Sequence, residues 1–293
     1  MTRVPLSPNG GKPQMRSQAS PAPDTDCEGT ARTRYITITR SGWEEVPAAV
    51  IHERLVCIYV NGQELVSIMC SPCQLEALAL GFLANEGIIA SLDDVRTVEV
   101  RPNNACIDVW LAYSDFEPPR RRTLTSGCGG GVTFEDLSAG FPALESDRRV
   151  TPGQLWALMD LLHQAAQLYS QARGVHTSAI SDGERLLLTA EDVGRHNTLD
   201  KLRGLALQAG IDTRDHIILT TGRVSSEMIN KARRMGVPVV CSRTSPTSLS
   251  VGLAESWNIT LVGYLRRNSM NVYAHPERMM RVSAPSGDFK EDS

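Results

Sequence analysis

From Thr151 to Tyr264, short apolar runs of strand length alternate with amphipathic helical stretches, and this alternation restricts the fold more than any other feature of the chain. Thr151-Pro152-Gly153-Gln154 holds the residues of a helix-opening capping box. Leu155, Leu158, Met159, Leu162, Ala165, Ala166 and Tyr169 then recur at helical spacing until Gly174. A strand over 178–180 turns at Asp182-Gly183 into a second over 185–188. After these the pattern predicts a helix over 197–209, a strand over 216–220 and a helix over 226–235. It continues with a strand over 237–241, a helix over 246–257 and a strand over 259–264. Strands interleaved with helices signal a layered α/β unit with a partly parallel sheet. Ligands of such sheets sit beyond the carboxyl ends of the strands, which directs attention to the loops after Thr220, Cys241 and Tyr264.

The first half of the chain reads differently. Residues 1–33 are rich in Pro, Ser, Gly, Thr and charge without apolar periodicity, the composition of a disordered tail. Alternation begins at Arg34-Tyr35-Ile36-Thr37-Ile38-Thr39-Arg40. Runs over 47–60 and 64–69 flank Asn61-Gly62, a strong hairpin signal, and Cys57 in the first run is expected in the core. Ser71, Pro72 and Gln74 suit the N-cap, N1 and N3 positions of a helix whose apolar face is Leu75, Leu78, Ala79, Phe82 and Leu83, stopped by Gly87. Two more strands are expected over 95–100 and 106–113. Residues 34–115 thus form a small, mostly antiparallel α+β domain, 116–150 a linker, 151–283 the α/β domain and 284–293 a tail.

Within the linker, Thr125–Thr133 reads TSGCGGGVT, one cysteine, Cys128, among four glycines. Glycines leave a thiol sterically bare, and Arg120-Arg121-Arg122 just upstream would favour the thiolate. A flexible linker that happens to carry a cysteine is the plainer reading. The seven cysteines are odd in number and scattered, which speaks against a disulfide framework. A hydrophobic fraction of 41% and a charged fraction of 22% are those of a soluble protein. No apolar run reaches membrane-span length and no secretory h-region stands at the start, so a cytoplasmic protein without a membrane partner is expected. A net charge of −3 argues against a general nucleic-acid binder.

Other clusters could carry chemistry. Thr221-Gly222-Arg223-Val224-Ser225-Ser226 and Ser245-Pro246-Thr247-Ser248 each follow a strand and enter a helix, as anion cradles or as simple caps. Glu191-Asp192-Val193-Gly194-Arg195-His196-Asn197, together with His176 just before the first strand of this domain, makes a site plausible without naming a reaction. Tyr264, Leu265, Arg266, Arg267, Asn268 and Ser269 end the last long strand, where the two arginines would clamp phosphates or be a solvated strand end. Cys70-Ser71-Pro72-Cys73 is a C-x-x-C without a second pair at zinc spacing, and helix initiation accounts for its central residues.

Taken together, the chain resembles the FdhD family of accessory sulfurtransferases that activate molybdenum- or tungsten-dependent formate dehydrogenases. The resemblance covers roughly residues 35–283. It rests on LEALALGFLANEGII (75–89), SGCGGG (126–131), GVHTSA (174–179), EDVGRHNTLDKL (191–202), TTGRVSSEMINKA (220–232), SPTSLSV (245–251) and MNVYAHPER (270–278). It implies that Cys128 carries a persulfide whose sulfur comes from a cysteine desulfurase and passes to the molybdenum cofactor. It also implies that Tyr264–Ser269 binds that cofactor, the bis-molybdopterin guanine dinucleotide form, as cargo, with no tightly held metal of the protein's own. A cytidine-deaminase-like fold for the second domain and a homodimer are implied as well. Some members carry a second cysteine three residues after the first; here that residue is Gly131, so a relay between two loop cysteines is impossible and a one-cysteine shuttle remains.

Two other readings compete. A zinc deaminase needs H-x-E and P-C-x-x-C motifs, but His176 is followed by Thr177 and Ser178 and no P-C-x-x-C exists. A non-enzymatic chaperone that holds the cofactor or the dehydrogenase needs no sulfur chemistry and fits the absence of a second loop cysteine.

Overall fold

The computed structural model describes residues 29–102, 105–119, 123–124, 132–133 and 141–281. Cys128, the arginine triplet 120–122, residues 1–28 and residues 282–293 lie outside the described residues.

Chain order starts with an antiparallel ribbon of β1 (Thr30–Thr39) and β2 (Gly42–Ile51). Strand structure thus begins ahead of Arg34, because Thr30–Thr33 continue the pairing against Ala48–Ile51. The run expected over 47–60 is really two strands: its first part belongs to the ribbon, and β3 (Arg54–Val60) starts a new sheet after a break at His52-Glu53. β3 turns into β4 (Gln63–Cys70) through Asn61 and Gly62, both at positive φ (48° and 79°), as a type I′ hairpin requires. Helix α1 (Leu75–Asn85) follows, then β5 (Val95–Val100) and β6 (Cys106–Leu111). The four-stranded order is β4-β3-β6-β5, with β3 and β6 parallel and the outer pairs antiparallel.

Period-two alternation decides what this sheet buries. Val56, Ile58 and Val60 of β3, with Ile107 and Val109 of β6, face Leu75, Leu78, Phe82 and Leu83 of α1. Cys57 therefore points the other way and is half-exposed, not in the core as expected. The capping box expected before α1 also fails to form. The helix starts at Leu75 behind Gln74, whose backbone is left-handed and whose side chain makes no cap bond. Ser71 is drawn into contacts with the second half of the chain instead.

Between the halves, β7 (Thr123–Leu124) pairs antiparallel with β8 (Val132–Thr133), so described backbone brackets the segment that holds Cys128. Further on, the Phe141 ring meets Trp257 edge to face at 5.9 Å and Val150 bridges to Met279, which pins 141–150 onto the α/β half.

That half is layered as the alternation predicts. Its elements are α2 (Pro152–Ala165), α3 (Gln167–Ala172), β9 (His176–Ser181), β10 (Leu186–Asp192), α4 (Arg195–Ala209), β11 (Ile217–Thr220), α5 (Ser226–Arg234), β12 (Val239–Ser242), α6 (Ser248–Ser256), β13 (Thr260–Arg266) and β14 (Ser269–Ala274). The sheet order is β10-β9-β11-β12-β13-β14, with β11, β12 and β13 parallel. Odd positions such as Ile217, Leu219, Val239 and Cys241 pack with Leu155, Leu158 and Leu162 of α2. Even positions such as Ile180, Ile218 and Val240 pack with Leu199 and Leu202 of α4 and Met228 and Ile229 of α5. The Thr151 capping box forms: Gln154 N donates to Thr151 Oγ1 (3.2 Å) and Thr151 N to Gln154 Oε1 (2.8 Å).

The two sheets are joined by helices rather than by strands. Every residue of α1 but Glu76 is buried, with its own sheet on one side and α4 on the other. A Cβ on Gly81 would land on the Asp200 carbonyl oxygen, and one on Gly204 on the Ala77 carbonyl oxygen. Only paired glycines let these backbones touch.

Candidate functional site: an arginine rim on a buried charged joint

Three loops emerge at the carboxyl ends of β11, β12 and β13, and their backbones fasten to one another. Arg243 N donates to Thr220 O (3.1 Å), Val224 N to Ser245 O (3.2 Å), Thr247 N to Val224 O (3.0 Å) and Tyr264 N to Thr244 O (3.0 Å). Ser242 Oγ adds a bond to Gly222 O at 2.7 Å. The result is one rim with four exposed arginines, Arg223, Arg243, Arg266 and Arg267.

Tyr264–Ser269 sits on this rim as the β13–β14 connection. Tyr264 is left-handed (φ 50°) where the register slips between Gly263 and Arg266. That bulge turns its ring outward, and the Arg266 guanidinium lies over the ring at 5.5 Å. Leu265 points inward and is buried, so of the six expected binding residues it serves as the anchor. Arg266 pairs with Ser269 across the turn made by Arg267 and Asn268, and all four are exposed. On the flank, Arg243 Nη1 donates to His163 Nε2 at 2.7 Å. Burial and the neighbouring Arg243 charge hold the His163 pKa below its ordinary value, which keeps that nitrogen an acceptor.

The strand-to-helix loops prove to be caps as well as rim. Ser225 caps α5, accepting from Met228 N, and Thr247 closes a capping box with Ser250. Behind them lies the Glu191–Asn197 cluster, which builds a joint rather than an open site. Asp192 Oδ1 accepts from Gly194 N and Asn197 Nδ2, both at 2.7 Å. Its Oδ2 accepts from Ser71 N (3.1 Å) and faces Lys201 Nζ at 2.6 Å, both side chains fully buried. Lys201 gives its remaining protons to Ser71 O and Glu191 O at 3.1 Å, so all three ammonium donors have acceptors. Asn197 Nδ2 reaches Met69 O as well (2.9 Å), and Ser71 Oγ accepts from Val193 N (3.1 Å).

A second buried cluster links α4, α5 and α1. Lys231 Nζ donates to both carboxylate oxygens of Asp200 (2.7 and 2.8 Å) and lies 3.5 Å from Glu227, while Asn85 Nδ2 on α1 donates to Asp200 at 2.8 Å. Burial opposes the Lys231 charge, but Asp200 and Glu227 outweigh it and hold the pKa above the ordinary lysine value. His196 connects joint to rim, its Nε2 sharing a 2.9 Å hydrogen bond with the Ser225 hydroxyl. Burial lowers its pKa to about 4 against the opposing pull of Glu227, so the ring is neutral. His176 is held below its ordinary value by burial and then by Arg195. A Cβ on Gly222 would meet Arg195 Cβ at 2.8 Å and His176 Nδ1 at 3.3 Å, so these two side chains prop the first rim loop from behind.

The cysteines divide. Cys70 is buried and its pKa is pushed up to about 12 by burial, then by Asp192, so the C-x-x-C supplies no thiolate there. Cys73 is disulfide-bonded, a pairing the scattered spacing gave no reason to expect. Among the described residues no group of three or more His, Cys, Asp or Glu could hold a metal ion.

Fold and rim together define a mixed α/β protein of several sheets with an arginine-lined edge. Residues 51–280 match the FdhD/NarQ family, and the chain belongs to that family. The chain is 38% identical over 228 residues to the protein named sulfur carrier protein FdhD in Staphylococcus aureus strain Newman, covering 76% of this chain and 86% of that one. The same figures hold for the strain USA300 protein of that name. Among solved structures, a formate dehydrogenase accessory protein from Desulfotalea psychrophila superposes with a TM-score of 0.73 at 29% identity. That match covers 86% of this chain and all of the other.

Proposed function

We propose that the protein is a sulfur carrier and sulfurtransferase that serves a formate dehydrogenase. In this reading Cys128 takes the outer sulfur of a cysteine desulfurase persulfide: the Cys128 thiolate attacks it, a new S–S bond forms and the donor cysteine leaves as thiolate. The cargo is the bis-molybdopterin guanine dinucleotide molybdenum cofactor, a substrate rather than a resident group, and the rim is its seat. The observation that carries this is the rim itself. Arg223, Arg243, Arg266 and Arg267 crowd the carboxyl edge of the parallel strands, and guanidinium forks bind phosphate in bidentate fashion. The names of the relatives support the sulfur role.

Mass spectrometry after incubation with a desulfurase and cysteine tests it. One added sulfur on Cys128, absent in Cys128→Ala, is expected. If Cys128→Ala still activates a formate dehydrogenase in cells lacking the native protein, the chaperone reading replaces this one.

A further inference from the structure

The outer face of the four-stranded sheet carries a pair of thiols that the sulfur-carrier reading leaves unused. Cys57 on β3 and Cys106 on β6 are directly opposite each other in the parallel register. Residues in register share a face, and adjacent strands run about 4.8 Å apart. That spacing lies inside the Cα separation that disulfides span, about 4.4–6.8 Å. Both side chains are half-exposed and both thiols are free. Across the sheet they belong to one row. Cys57 also faces Ser67 on β4, with Sγ 3.2 Å from the hydroxyl oxygen, and Arg101 N donates to Cys106 O at 3.0 Å on the far side. The Arg101 guanidinium lies close to this row, held by Asp108 (2.6 and 3.2 Å). Burial, then the Cys57 thiol itself, raises the Cys106 pKa, the signature of two thiols crowding each other, while Arg101 pulls it back down.

We propose that Cys57 and Cys106 form a dithiol site that takes low-molecular-weight disulfides of the glutathione class as its substrate and closes into a cross-strand disulfide. One thiolate of the pair attacks the small disulfide, forming a mixed disulfide and expelling one small thiolate. The second thiolate then attacks the protein sulfur of that mixed disulfide, the Cys57–Cys106 bond forms, and the second small thiolate leaves. The pair loses two electrons and the small disulfide gains them, becoming two thiols. Closure needs no strand to move, because the register already sets the sulfurs side by side. Cys70 and Cys241, buried at 0% exposure, have no such access.

The test is peptide mapping of the full-length protein after incubation with oxidised glutathione at about pH 8.5, near the ordinary cysteine pKa. A cross-linked species joining the Cys57 and Cys106 peptides, lighter by two hydrogens than their sum, is expected. It should disappear in Cys57→Ser and in Cys106→Ser and persist in Cys70→Ser and in Cys73→Ser, which separates it from the other two cysteines on the same tryptic fragment. Recovery of Cys106 as the free thiol or as a stable glutathione adduct would overturn the proposal, as would a cross-link that survives Cys57→Ser.

Discussion

His196 shows how much one buried ring can do. It is neutral in the folded protein with a pKa of about 4, whereas an unfolded histidine titrates near 6.5. Between those values the unfolded chain binds the extra proton and the folded one does not, so stability is present above pH 6.5 and lost as pH falls toward 4. The expected loss from this group is about 2.5 kcal/mol between pH 7.5 and 4.5. Urea unfolding at both pH values measures it. His196→Gln, which can still hydrogen-bond Ser225, should show a pH-dependent loss smaller by that amount, and an unchanged loss would show that the ring is not the titrating group. The Asp192–Lys201 pair obeys a related logic. Two ions out of water are tolerable only because every lone pair and proton has a partner, and those partners come from distant segments, Ser71 and Met69 on one side and Val193–Asn197 on the other. The Glu191–Asn197 cluster thereby specifies how the halves join, which explains its density of polar residues without invoking catalysis.

Among the elements, the crossing of α1 on α4 is the least forgiving. Apolar residues all round α1 suit a helix packed on two sides, and the contact point is backbone on backbone. Gly204→Ala or Gly81→Ala must push the helices apart and is expected to cost about 2–3 kcal/mol, read as a lowered thermal midpoint. Gly252→Ala is the control: no described atom lies within 4 Å of its Cβ position on α6, and the better helix former should be neutral or stabilising by up to about 1 kcal/mol. Equal destabilisation by all three would mean that close approach is not the cause.

Over the whole molecule, the α/β half presents an edge and the buried joint holds the first half against it. On the proposed reading the rim seats phosphates by charge, so its effect should fade with salt. Replacing Arg266 and Arg267 together with Ala is expected to weaken guanosine diphosphate binding about tenfold and to flatten its salt dependence, measured by calorimetry. Unchanged affinity would reject the β13–β14 turn as the phosphate seat.

Much of this was legible in the residue order. Local signals decide local structure, so Asn61-Gly62 announced a hairpin, Thr151 and Gln154 a capped helix, and the alternation after Thr151 a layered sheet. Reading failed where a distant partner outbids a local preference. Ser71 has the right neighbours for an N-cap yet bonds to Val193 and Asp192, and Cys57 looks apolar enough for the core yet faces outward because Val56 and Ile58 claim the inner face. β14 escaped notice because its edge position buries little of its length, leaving a weak pattern. The amino-acid order alone therefore determined most of the strands and helices and where the glycine-flanked cysteine and an arginine pair lie, since backbone propensity and side-chain period act over a few residues. Only the tertiary structure decided which charges are buried together, which loops share an edge and which cysteines face each other, because those depend on contacts between separate elements, some, such as Ser71 with Asp192, more than a hundred positions apart.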